Sequence, residues 1–195
     1  MTQTSEIILS GSGGQGLILA GQILAEAVIR DGKNAVQTQS YGPEARGGAS
    51  KAEVIISNDD IDYPKVTKPD IVLAMSQEAL SRYAGELDPN GTLIIDSTYV
   101  KAPAQTDARM ISAPFSRLAK ESLGKEMVAN VVALGAIAEY TGLVSKKALE
   151  KALLARVPRG TEELNKKALA LGAKLVREHR AAAQPAMGPP SAADL

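Results

Sequence analysis

The sequence predicts an α/β domain of three layers, α/β/α, with a mixed, mostly parallel sheet and a helical C-terminal third. Three observations predict it. A short apolar run enters a glycine-rich turn and then a segment with helical spacing. Further short apolar runs recur between turn-forming residues as far as Ser112. From Pro114 onward only helical spacing remains. With 195 residues and 45% hydrophobic content, one large domain with a substantial core is the expected organisation.

The first strand is read at Glu6 to Ser10, followed by Gly11-Ser12-Gly13-Gly14-Gln15-Gly16 and a helix over Leu17 to Arg30 that ends at Asp31-Gly32. Strand, tight turn and helix in that order make the domain Rossmann-like. A second strand fits Ala35 to Gln39 and a third Ala49 to Ser57. The stretch between them, Ser40 to Gly48, is too short for a crossover helix, so these two strands are expected to be antiparallel neighbours. Ile71 to Met75 reads as a buried strand and Ser76 as the cap of a short helix. Thr92 to Ile95 is a strand after the turn Pro89-Asn90-Gly91, and Arg109 to Ser112 is a weaker strand. Helices follow at Ser116 to Leu123, Glu126 to Thr141 with Gly142 as a stop, Ser145 to Arg156, and Thr161 to Arg180, with Thr161 as N-cap. Residues 181–195 combine three prolines with small residues and no periodicity, and are expected to be a disordered tail behind a single domain at 1–180.

Composition narrows the function. Lys plus Arg and Asp plus Glu both number 22, with no long run of one sign, which argues against nucleic acid as a partner. Cysteine is absent, which removes disulfides, thiolate nucleophiles and thiolate ligation of zinc or iron–sulfur clusters. The single histidine, His179, lies in a charged helical segment from Lys174 to Arg180 and reads as a solvated side chain, so a Ser-His-Asp arrangement is not expected. No catalytic residue and no metal ligand is assigned to the chain. No basic, apolar leader opens the sequence and no apolar stretch reaches the ~18 residues of a membrane span. A cytoplasmic location without membrane contact is the expectation.

Two motifs could bind. In the first, Gly11, Gly13 and Gly16 sit after a strand and open a helix, where backbone N–H groups can face an anion. A nicotinamide site would also need an acidic residue near the end of the second strand, and Gln37 to Tyr41 offers none. The same turn could instead only pack strand against helix. In the second, Ser40-Tyr41-Gly42-Pro43-Glu44-Ala45-Arg46-Gly47-Gly48 places an aromatic, a carboxylate and a guanidinium in one glycine-hinged loop. Arg46 could fork onto a carboxylate or phosphate, with Glu44 orienting it; a hairpin loop with a surface Glu-Arg pair fits equally well.

The two motifs together, GSGGQG at 11–16 and QSYGPEARGGAS at 39–50, followed by Ile55-Ile56-Ser57 and Pro69-Asp70, resemble the gamma subunit or domain of 2-oxoacid:ferredoxin oxidoreductases. Asn130 followed by Leu134-Gly135-Ala136 is similar to that family's helix. The resemblance spans about residues 6–180. It implies a non-redox subunit of a heteromeric enzyme that oxidatively decarboxylates a 2-oxoacid, forms an acyl-coenzyme A and passes electrons to ferredoxin. Overall likeness favours 2-oxoglutarate, with pyruvate and branched-chain or aryl 2-oxoacids as the other substrates. Thiamine diphosphate, Mg²⁺ and iron–sulfur clusters are then expected on partner alpha and beta subunits, with a ferredoxin-like delta subunit as a further partner. This chain carries no Gly-Asp-Gly segment to start a thiamine diphosphate site. The resemblance also implies that Gly11, Gly13, Gly14, Gln15 and Gly16 face a partner or cofactor. Tyr41, Gly42, Glu44, Arg46, Gly47 and Gly48 form the second loop at the same edge, on the coenzyme A side of the active site. The alternatives that remain are a free-standing nucleotide-binding oxidoreductase and a purely structural interaction domain.

Overall fold

A computed structural model describes residues 4–41, 49–101, 106 and 108–183. The elements run in the order β1 (Ser5–Ser12), α1 (Leu17–Arg30), β2 (Asn34–Tyr41), β3 (Ala49–Ser57), β4 (Ile71–Ala74), α2 (Gln77–Tyr83), β5 (Thr92–Asp96), β6 (Arg109–Ala113), α3 (Phe115–Leu123), α4 (Ala129–Thr141), α5 (Lys146–Arg156) and α6 (Glu162–Ala183). Short 3-10 turns at Ala84–Glu86 and Glu126–Val128 follow α2 and precede α4.

The six strands form one sheet in the order β2-β3-β1-β4-β5-β6. Strands β1, β4, β5 and β6 pair in parallel, while β3 lies antiparallel between β1 and β2. The short link between β2 and β3 allows only that hairpin pairing, as its length predicts. The side-chain alternation of each strand divides the core in two. Ile7, Leu9, Val54, Ile71, Leu73 and Ile94 face one helical layer made of α1 and α3 to α6. Ile8, Val72, Ala74, Leu93 and Ile95 face the other, where α2 contributes Ala79, Leu80 and Tyr83. The strands of the parallel half are therefore apolar on both faces, which is why their sequence shows runs rather than alternation.

Caps and glycines set the helix ends. Ser76 Oγ accepts from Ala79 N at 3.2 Å at the start of α2, and Ser145 Oγ accepts from Ala148 N at 3.1 Å at the start of α5. The Ser145 hydroxyl also donates to Asp31 Oδ1 at 2.7 Å, tying the end of α1 to the start of α5. Gly142 ends α4 in the left-handed conformation at φ 66°. α4 is buried without interruption from Ala129 to Ile137, so it lies inside the helical layer rather than upon it. It crosses α6 where Gly135 meets the Leu169 backbone and Gly172 meets the backbones of Val132 and Ala136.

Several boundaries differ from the sequence expectation. β1 continues to Ser12 because Gly11 and Ser12 pair with Ser50 and Ala49 of β3. The expected helix from Glu126 begins with a tighter 3-10 turn, and α4 proper starts at Ala129. The Thr161 hydroxyl donates to Pro158 O at 2.7 Å and accepts from Asn165 Nδ2 at 3.0 Å instead of capping the backbone of α6. α6 extends to Ala183, three residues into the expected tail, and the remaining tail residues lie outside the described ones. Among the described residues no helix is long and apolar enough to cross a membrane.

Candidate functional site

The carboxyl ends of the parallel strands converge at one edge of the sheet. β1 leads into α1 on one face, and its parallel neighbour β4 leads into α2 on the other. Where neighbouring strands send their helices to opposite faces, a crevice opens beyond their carboxyl ends. The glycine turn forms one wall of that crevice. Met75, Ser116, Glu126, Met127 and Ala129 complete a cleft of about 200 Å³ with Gly14 and Gln15.

Within the turn, the six residues do different work. Gly11 is a buried strand residue, and an added Cβ would press on Leu17 Cδ1 at 2.8 Å and Met75 Cβ at 3.1 Å. Gly13 and Gly14 are exposed, and Gly14 and Gly16 have φ of 90° and 73°, a region costly for residues with a Cβ. Gln15 turns inward: its Oε1 accepts from Ser12 N at 2.7 Å and its Nε2 donates to Met75 O at 3.1 Å. Its carboxamide thus latches the turn to the end of β4. Gly16 caps α1, and its carbonyl accepts from both Ala20 N at 3.1 Å and Asn130 Nδ2 at 2.9 Å. α1 has no side-chain cap and no acidic residue in its first turn. Its first N–H groups are left without a side-chain acceptor, and the helix dipole favours negative charge there.

The neighbouring strand ends supply residues that the sequence did not single out. Asp96, fully buried at the end of β5, accepts from Ser116 N at 3.1 Å and from Thr98 N at 3.0 Å. Thr98 Oγ1 accepts from Arg117 N at 3.1 Å. Together Asp96 and Thr98 cap α3, whose own N-cap is Pro114. Beside them the Tyr99 hydroxyl donates to Glu126 Oε1, and this bond to a carboxylate raises the phenol above its ordinary pKa. Met127 projects from the 3-10 turn at 77% exposure, a large apolar side chain on the rim of the crevice. A carboxylate closing an apolar strand at its carboxyl end was the available signal for Asp96. Met127 and Tyr99 carried no signal of their own.

The second predicted loop is located by its flanks. Residues 42–48, with Gly42, Glu44, Arg46, Gly47 and Gly48, lie outside the described residues, as does the side chain of Tyr41. The backbone of Tyr41 pairs with Ser50, and Ser12 pairs with Ala49. The chain thus leaves the sheet at the end of β2 and re-enters it at Ala49, beside the end of β1. The same sheet order separates β2 from β1 by β3. A residue at the end of β2 is therefore not adjacent to the glycine turn, as the nicotinamide-type site would require.

With no cysteine in the sequence, none of its residues can give thiolate ligation to a cluster. Among the described residues no group of three His, Asp or Glu side chains is placed to hold a metal ion. The exposed Gly13 and Gly14 and the uncapped start of α1 suit a phosphate-bearing group better than a metal.

Comparison with known proteins adds the family. Residues 6–175 match the family described as pyruvate ferredoxin/flavodoxin oxidoreductase. The 2-oxoglutarate synthase subunit KorC of Methanocaldococcus jannaschii is 50% identical over 177 residues, covering 89% of this chain and 94% of that one. The crystal structure of the gamma subunit of a keto/oxoacid ferredoxin oxidoreductase from Geobacter sulfurreducens superposes with a TM-score of 0.81 at 49% identity, covering 89% of this chain and 99% of that one. The 2-oxoglutarate:ferredoxin oxidoreductase of Magnetococcus marinus, solved with 2-oxoglutarate, coenzyme A and succinyl-CoA, shares the fold at a TM-score of 0.81 and 22% identity, covering 90% of this chain and 31% of that one.

Proposed function

The chain belongs to the pyruvate ferredoxin/flavodoxin oxidoreductase family, and from that premise we propose that it is the gamma-type subunit of a cytoplasmic, heteromeric 2-oxoglutarate:ferredoxin oxidoreductase. The complex removes carbon dioxide from the 2-oxoacid, joins the acyl group to coenzyme A and hands the released electrons to ferredoxin. Thiamine diphosphate with Mg²⁺ and the iron–sulfur clusters, held by the alpha and beta subunits and a ferredoxin-like delta subunit, supply the carbon–carbon cleavage and the electron path.

This chain's own part is to close the coenzyme A side of the active site. The observation that carries the reading is the register Ser12 to Ala49, which brings the flanks of both glycine motifs to one sheet edge beside the uncapped start of α1. The N–H groups of Gly13 and Gly14 and the first turn of α1 then receive a phosphate of coenzyme A. Gln15 and Asn130 hold that turn in shape from behind without touching the ligand. Arg46 adds a guanidinium that pairs with an anionic oxygen in a bidentate way, and Glu44 orients it.

Isolation of the native assembly at mild salt tests the reading. The expected result is this chain together with two or more larger chains, iron and thiamine diphosphate, with no binding of NAD(H) by the isolated chain. An assembly without iron and thiamine diphosphate, or a single fully active chain, refutes it. Arg46→Lys in the reconstituted complex keeps the charge and loses the fork. Unchanged turnover and unchanged coenzyme A affinity in that variant would reject the role given to Arg46.

A further inference from the structure

A second cleft, of about 290 Å³, opens between the outer strand β6 and the last turns of α6. Arg109 N donates to Gly91 O at 3.2 Å and Ser97 N donates to Ala113 O at 3.0 Å. In a parallel ladder the bonding groups of one strand alternate between its two sides. Arg109, Ile111 and Ala113 thus bond to β5, and the N–H and C=O groups of Met110 and Ser112 point outward. No described strand pairs with them. Met110 is 44% exposed and Ser112 is also exposed. Ile111, Ala113, Phe115, Leu175 and Val176 give the adjoining cleft an apolar floor.

Its rim is cationic. The Arg180 guanidinium lies over the Tyr140 ring at 5.4 Å and donates to Tyr140 O at 2.7 Å. The Tyr140 hydroxyl beside it raises the pKa of the Arg109 guanidinium. Among the described residues neither arginine meets a carboxylate, and the rim carboxylate, Glu178, lies 3.6 Å from Lys174. The free strand edge, the apolar floor and two guanidiniums without a carboxylate partner among the described residues coincide here.

We infer that the groove between β6 and α6 receives an extended, acidic segment of a partner subunit, which adds to β6 as a further strand. Main-chain bonds to Met110 and Ser112 hold it, alternate apolar side chains enter the cleft, and a carboxylate meets Arg109 and Arg180. The residues that follow α6 are a poor occupant, because Pro185, Pro189 and Pro190 lack the N–H that an added strand must donate. This inference rests on the subunit reading above.

Amide hydrogen exchange at Met110 and Ser112, compared between the full chain alone and the reconstituted complex, tests it. Exchange should slow by about 100-fold or more on assembly. Ser112→Pro removes an outward donor and leaves the bonds to β5, since proline is tolerated on strand edges. That variant, and separately Arg109→Gln with Arg180→Gln, should each weaken assembly at least about tenfold, and the arginine pair should also flatten its salt dependence. If Ser112→Pro lowers the melting temperature of the free chain, the arginine pair and the exchange data decide alone. A complex that forms while both amides exchange as in the free chain overturns the inference and leaves the subunit reading intact; failure to form any complex sinks both. Protection in the free chain that grows with concentration would give the groove to a second copy. Protection lost on removing residues 184–195 would give it to the chain's own end. Either result overturns the inference.

Discussion

Replacing Gly172 by alanine adds one methyl group where two helices leave no room for it. The new carbon would overlap the Val132 carbonyl oxygen and stand 2.8 Å from Ala136 N. Carbon contacts are comfortable near about 3.5 Å, so α4 and α6 must part by something on the order of 1 Å. Both obstructing atoms are backbone, so no rotamer change relieves the overlap. α4 cannot retreat either, since Val132, Ala133 and Leu134 are packed to within 1% of full burial. Overpacking of this kind costs roughly 3 kcal/mol, and the better helix propensity of alanine returns about 1 kcal/mol. The net loss of about 2 kcal/mol lowers Tm by about 4–8 °C for a domain of this size. Thermal unfolding of the variant beside Gly85→Ala is the assay, because a Cβ at Gly85 meets nothing within 4 Å and should leave Tm unchanged. A Gly172→Ala protein that melts within about 1 °C of wild type would refute the close crossing of α4 and α6.

Three further outcomes are expected. Burial acts to raise the pKa of Glu26, but hydrogen bonds and charge from Arg30 and Arg156 outweigh it and hold the carboxyl below its ordinary value. Wild type should therefore exceed Glu26→Gln by up to about 1 kcal/mol at neutral pH. That gap should close as pH falls below about 4.3 and through the native pKa; urea titrations showing it widen in acid contradict the assignment. Asp96→Ala leaves Ser116 N and Thr98 N without their acceptor and should cost about 1–3 kcal/mol for each donor, with amide exchange accelerated at the start of α3. Asn130→Ala frees the Gly16 carbonyl of its side-chain partner and should cost about 1–2 kcal/mol while raising the crystallographic disorder of residues 13–16, and a variant as stable as wild type speaks against the brace.

Local chemistry made much of this legible. The spacing of Leu17, Ala20, Ile23, Leu24, Ala27 and Val28 identifies α1 to the residue, and the short link before Ala49 implies the antiparallel pair β2 and β3. The five apolar positions from Ile71 to Met75 and the hydroxyl at Ser76 likewise announce β4 and α2. What stayed hidden depends on partners far along the chain. Gly11 looks like a turn residue until Ser50 pairs with it, and the reach of the Gln15 amide to Met75 O has no signal in the residues around it. Asp96 is marked locally as a carboxylate closing an apolar strand, but the helix it caps starts about a strand and a loop later in the sequence, so the capping itself is not legible there. The family resemblance carried by residues 11–16 and 39–50 agrees with the match over residues 6–175. Register shows why those two stretches occur together, since the strands that flank them are hydrogen-bonded to each other.

Because β3 runs against both its neighbours, the stretch of sequence between Tyr41 and Ala49 joins two strands that stand outside the parallel ladder. Its length and residues can change while the packing of β1, β4, β5 and β6 stays as it is. Selection can therefore rewrite that stretch of sequence without renegotiating the stability of the sheet beside it.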